Sequence, residues 1–243
     1  MSIIEEEFNL IFKKYGGLFN YQKINSTDYI EYMLGVFRDI IQLYAPEEKG
    51  LPIPHINIID NSNLNAVVSK GSLGYHIGFN AGTFFLIKDI FGRMMASPNV
   101  LVKFGDTSKE ETSKLYNAQI TDFNILNLAS ELPDPVVPEN YTRFAISDYL
   151  ATIALVFLVR HEYAHIIMGH IDYLTGEANT FAIEEKEREI TNTKDSFSML
   201  LQTLEMDADS FAVNSATEDI IRLSSSVPSG FTKELIPNTI SNY

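Results

Sequence analysis

Two stretches of this chain carry residues that could do chemistry. The first is LVRHEYAHIIMGHIDYL, residues 158–174, which holds His161, His165 and His170, three of the five histidines, with Glu162 beside the first. The second is LLQTLEMDADSFAV, residues 200–213, which holds Glu205 and Asp209. His161 and His165 are four residues apart. On a helix that spacing stacks both imidazoles on one face, close enough to share one ion. Glu162 lies about 100° further round the same helix, adjacent to that ion. This is the HExxH arrangement, in which two histidines hold zinc and the glutamate activates a bound water. Zinc brings the pKa of that water towards 7, and the carboxylate accepts its proton and passes it to the leaving amine.

HExxH alone decides little. Five histidines and 19 glutamates scattered at random over 243 residues produce it in on the order of one chain in a hundred. A core helix with satisfied histidines carries the same letters. A catalytic zinc needs a third protein ligand and an open fourth position. His170 is the near candidate, but the metzincin pattern HExxHxxGxxH puts its third histidine six residues after the second, and His170 comes five after His165. On a continuing helix it points away from the face of His161 and His165. There it reads as an exposed or capping histidine near a helix C-terminus, where a cation is favoured. Glu205 and Asp209 are the better candidates. They too are four apart and share a face with Leu201, Leu204 and Ala208 as neighbours. Two carboxylates beside an apolar stripe are costly to bury unless something pairs with them. A zinc ion and a metal-bound imidazole would provide that pairing. The competing reading is a surface acidic cluster in an acidic chain.

The text HEYAHIIMGH followed by EMDADSFA resembles the gluzincin metallopeptidases, which combine HExxH with a downstream ExxxD, and in particular the HtpX and CAAX-prenyl-protease-like group. INIIDNSNLNAVVSKGSLGYHIGFNAG is similar to that group's strand region, with its Asn65-Ala66 pair. The resemblance covers about residues 55–96 and 145–213. It implies a mainly helical zincin-like (minigluzincin) core and one Zn2+ per chain. His161, His165 and Glu205 would hold the metal and Glu162 would be the general base. Asp209 would accept a hydrogen bond from His161 and fix its tautomer. Asn65, Ala66 and Val67 would lie on a strand edge where an extended peptide adds as another strand. The membrane-embedded members of the group carry spanning helices and a shorter gap before HExxH. Both differences point to a soluble bacterial or phage-type peptidase. The phage-exclusion peptidases of the Lit kind, which also carry HExxH in a soluble chain of comparable length, are a related likeness.

The elements that must position these residues are read from periodicity. Apolar groups recur with a helical spacing over 3–15 and 27–44. HINIID, LNAVVS and YHIGFN read as three short strands separated by turns, which suggests a small antiparallel sheet. A helix follows over 81–96. ITDFNILNLASEL, residues 120–132, is a further candidate helix. One long helix is expected over 147–173, a solvated loop or helix over 175–195, and another helix over 196–216. The fold class is therefore α+β, in a single domain over 1–243. Its parts are an N-terminal helical pair (1–50), the sheet with its helix (51–96), an insertion (97–143), the active-site helices (144–216) and a tail (217–243).

Composition narrows the rest. The net charge is −14, so a phosphate backbone would be repelled and nucleic acid is not an expected partner. There is no cysteine, so any metal takes nitrogen and oxygen ligands. The N-terminus MSIIEEEFNL lacks the basic start and apolar run of a signal peptide. The longest apolar run, 149–159, is too short to span a bilayer. A soluble, cytoplasmic chain is the expectation. Its expected activity is zinc-dependent endopeptidase hydrolysis of a protein or peptide substrate. The alternative is a non-enzymatic interaction or regulatory module that keeps the scaffold. For the oxyanion stabiliser, His170, Tyr163, His76 and Arg143 all remain open.

Overall fold

The buried apolar residues from Phe8 to Phe79 fall into two sets, divided by the plane of one small sheet. The sheet belongs to a computed structural model that describes residues 1–23, 27–45, 50–110, 136–178, 182–184 and 196–226. In chain order the elements are α1 (Ile3–Ile11), α2 (Thr27–Tyr44), β1 (His55–Ile59), β2 (Ala66–Lys70), β3 (Tyr75–Asn80), α3 (Ala81–Ala96), α4 (Tyr141–Ile167), α5 (His170–Ala178), β4 (Ala182–Glu184) and α6 (Ser196–Ser226). The fold is α+β. Residues 120–132, expected to be helical, lie outside the described residues.

The strand order is β1-β3-β2-β4. β2 and β3 form an antiparallel hairpin, and β4 pairs antiparallel with β2. β1, however, runs parallel to β3, with His55 opposite His76. The sheet is mixed, not antiparallel as the short loops suggested. The reason is non-local. The hairpin inserts with its second strand, not its first, against β1, and that strand necessarily runs the same way as β1. Alternating apolar residues report which face is buried but not which strand is the neighbour.

Both faces of this sheet are covered, so its strands are buried nearly throughout. Ile56, Ile58, Val68, Ile77 and Phe79 face the main core, where they meet the α2 stripe Ile30, Met33, Leu34, Phe37 and Ile41, and Leu155, Val159 and Tyr163 of α4. Ile59 and Val67 point the other way and pack with Phe8 and Phe12 beneath α1. A capping box starts α1: Ser2 N–H donates to Glu5 Oε2 at 2.7 Å and Glu5 N–H to Ser2 Oγ. Glu7 then ties α1 to the β2–β3 turn. It accepts from Ser72 N–H at 2.7 Å, Leu73 N–H and the Ser72 hydroxyl, and lies 2.8 Å from His76 Nε2. His76 is thus engaged on the sheet face opposite α4 and is not a candidate oxyanion donor.

The segment read as an insertion is fastened by one side chain. Arg143, fully buried, donates to the carbonyls of Met95, Ser97, Val100, Leu101 and Phe104 at 2.7–3.3 Å. Its Nε lies 3.6 Å from Glu110, whose carboxylate accepts the Glu139 and Asn140 N–H groups. Arg143 therefore organises a loop and is not free to meet a substrate. It also belongs to α4, which begins at Tyr141 with Asn140 as N-cap, inside the expected insertion. At the other end α6 runs on to Ser226, through the start of the expected tail. By length and composition α4 passes as a membrane-crossing helix, with a mean hydropathy of 1.6 in its most apolar window. Of that window 28% is buried, and α4 lines the interior with Ala151, Leu155, Val159 and Tyr163.

Two outcomes follow from these fastenings. Burial acts to raise the Glu7 carboxyl, but its hydrogen bonds from Ser72, His76 and Leu73 outweigh that and hold it down to about 2. A folded pKa below the ordinary value means that this contribution is complete above about pH 4.5 and is lost as pH falls towards 2. Hydrogen-exchange protection factors in α1 should fall across that window, and Glu7→Gln should remove the pH dependence. A flat profile in the wild-type chain would contradict the fastening. Arg143→Met strands buried carbonyls and Glu110, so urea unfolding should register a loss of about 3–5 kcal/mol.

Candidate metal centre

His161 and His165 occupy the last two turns of α4, with the imidazoles 2% and 1% exposed as residues. α6 packs along α4. Its inward line is Leu201, Leu204, Glu205, Ala208 and Ala212, of which the two alanines are fully buried. Their small side chains let α6 lie close, and closeness brings Glu205 to the imidazoles. His161 Nε2 is 3.2 Å from His165 Nε2 and 3.1 Å from Glu205 Oε2, and His165 Nε2 is 3.7 Å from the same oxygen. Among the described residues this buried trio is the group whose ligand atoms converge tightly enough to hold a metal ion.

The distances can be compared with what coordination requires. Ligands about 2.0–2.1 Å from a tetrahedral zinc stand about 3.3 Å from one another. The three observed edges bracket that value. Protonation supports the same conclusion. His161 Nδ1 lies 2.9 Å from Asp209 Oδ1, so Nδ1 carries a proton, and in the neutral ring Nε2 then presents a lone pair. That lone pair faces a carboxylate oxygen and a second imidazole nitrogen. A proton shared within such a group, or a cation among its members, relieves the repulsion. The donor set fits a divalent ion bound through nitrogen and oxygen.

Glu162, the next residue on α4, is 2% exposed and so carries its carboxyl at the buried end of the helix. Asp209 is half exposed, with one oxygen on His161. His161, His165 and Glu205 are brought together and Asp209 reaches His161, while of Glu162 the structure gives its burial beside His161 in the chain.

His170 does not. It is buried, 4% exposed, and its Nδ1 lies 3.0 Å from His165 Nδ1. It is neither exposed nor pointing away. The expectation assumed a helix continuing to 173, whereas α4 stops at Ile167. Gly169 takes a φ of +74°, the left-handed conformation that ends helices and that glycine adopts without strain. α5 then starts at His170 in a new direction and carries the ring back to His165. The Gly169 stop signal was present in the sequence and is what could have revealed this. Asp172 anchors α5 to the sheet by accepting from Lys70 Nζ and the Tyr75 hydroxyl, both at 2.7 Å. Burial beside His165 pushes the His170 imidazole down to about 4, so it is neutral at pH 7.

The expected strand edge is also different. Asn65 has its backbone committed to Thr83 and Asn80. Ala66 pairs with Phe79, and Val67 points into the Phe8 cluster. On the outer side of β2, β4 pairs with Val67, Val68 and Ser69, so this stretch is covered by the chain's own strand. Tyr163, another open oxyanion candidate, is buried with its hydroxyl donating to the Pro52 carbonyl at 3.2 Å, and burial pushes its phenol up to about 12. No family model, no curated protein and no solved structure matches the chain.

If Asp209 sets the His161 tautomer, Asp209→Ala should weaken binding of a divalent ion 10–100-fold by titration calorimetry. Unchanged affinity would remove Asp209 from the centre.

Proposed function

We propose that the chain is a zinc-dependent endopeptidase of the gluzincin kind, with a zincin-like core, acting on a protein or peptide substrate. One observation carries this reading: two imidazole nitrogens and one carboxylate oxygen converge at tetrahedral spacing, with a second buried carboxylate, Glu162, next to them on α4. A bound zinc supplies a Lewis acid that polarises a carbonyl and makes water acidic near neutral pH. His161, His165 and Glu205 hold it, and Asp209 keeps His161 in the ligating tautomer. Glu162 accepts the proton of the attacking water and delivers it to the departing amine nitrogen, which restores its carboxylate. Confinement between α4 and α6 removes competing water and strengthens each of these interactions. The absence of thiols and the single carboxylate in the trio leave a net positive charge on the ion with its three ligands, as a Lewis acid needs.

The second reading, an interaction or regulatory module that keeps this scaffold, is favoured by the covering of the β2 edge by β4. Activity separates the two. The purified chain should contain about one zinc, and Glu162→Gln should retain it while lowering peptide cleavage about 10²–10⁴-fold. A chain that binds no metal after reconstitution sinks the first reading. A zinc-loaded chain that cleaves no member of a broad peptide library supports the second.

A further inference from the structure

The activity proposed above leaves one buried imidazole of the cluster without a part. His170 Nδ1 and His165 Nδ1 are 3.0 Å apart, and both rings are buried. A hydrogen bond between two ring nitrogens needs one N–H and one lone pair. His165 can offer Nε2 to an ion only if its proton sits on Nδ1. The partner at 3.0 Å must then accept through its own Nδ1 and carry its proton on Nε2.

We infer that His170 is the positioning residue for His165: a neutral imidazole that accepts from His165 Nδ1–H and so fixes the tautomer and ring plane in which His165 Nε2 meets the metal. This rests on the metal-centre reading above and extends it. The two ligating histidines then have unlike partners. His161 is held by a carboxylate on α6 that is half open to water, and His165 by an uncharged ring inside the protein. The difference follows from where the partners lie. Glu205 and Glu162 are already two buried carboxylates on the helices that form the centre. A third buried carboxylate, on the far side of His165, would add a further desolvation cost, and a neutral acceptor avoids it. It also leaves the charge of the centre unchanged, whereas a carboxylate partner makes its histidine a more basic ligand.

The frame around His170 suits a positioning part. Gly169 sets the chain's direction, and the Asp172 contacts with Lys70 and Tyr75 hold the first turn of α5 to the sheet. None of these groups belongs to the metal trio, so the ring is held whether or not an ion is bound.

The test uses the full chain and two variants. His170→Phe keeps bulk and removes the acceptor. His170→Asn places an amide oxygen where Nδ1 stood. Zinc affinity is measured by competition with a chromophoric chelator, and melting of the metal-free proteins reports the fold separately. The expected result is zinc binding 10–100-fold weaker in His170→Phe and restored near the wild-type value in His170→Asn. Equal affinity in His170→Phe, or an Asn variant as weak as the Phe variant, overturns the inference while leaving the metal centre standing. A wild-type chain that takes up no zinc overturns both. Should His170→Phe not fold, ring nitrogen-15 spectra of the zinc-loaded wild-type chain decide: a proton on His170 Nε2 is expected, and one on its Nδ1 overturns the assignment.

Discussion

Three potential ligand atoms meet where α4 and α6 pack: His161 Nε2, His165 Nε2 and Glu205 Oε2, with edges of 3.1–3.7 Å. Side by side, two ring nitrogens and a carboxylate oxygen need a shared proton or a cation between them. The surrounding structure keeps the three groups together. Ala208 and Ala212 allow the close approach of the two helices. The sheet supports α4 through Val159 and Tyr163, two residues on either side of the HExxH stretch's start. The candidate centre is therefore a property of two long helices held rigidly rather than of a loop.

Beyond the trio, each imidazole has one neighbour at its other ring nitrogen. Asp209 stands 2.9 Å from His161 Nδ1, and the ring of His170 stands in the equivalent place for His165 at 3.0 Å. Further out, the molecule relies on a few multidentate polar groups. Arg143 gathers five carbonyls with a single guanidinium, which suits its planar fork of five donors. Glu7 gathers the donors of the 72–73 turn and His76, and so docks α1 on the sheet. Each is a buried or half-buried charge satisfied by many partners, and each concentrates the stability of one segment on one residue.

Much of this was legible from residue order. The helices over 27–44 and 81–96 and the strand over 75–80 coincide with the observed elements, because their apolar residues repeat with a single period and end at glycine, proline or polar turns. The i, i+4 pairs His161/His165 and Glu205/Asp209 lie on the faces their spacing gives. What escaped depended on groups far apart in the chain. The parallel pairing of β1 with β3, the covering of the β2 edge by β4, and the use of Arg143 by the 95–104 carbonyls have no local periodic signal.

His161, Glu162 and His165 illustrate the division. Their types and spacing are properties of the sequence by itself. With no cysteine in the chain, these determine that any metal here is held by nitrogen and oxygen, and that two imidazoles can share it, because helix periodicity is local. Tertiary structure decided the rest. It decided that Glu205, rather than Asp209, reaches both imidazoles, and that a break at Gly169 turns His170 inward against His165 instead of outward into water. Those outcomes turn on the packing distance between two helices and on the direction of a chain after one left-handed residue, and neither is written in the spacing of side chains along a single helix.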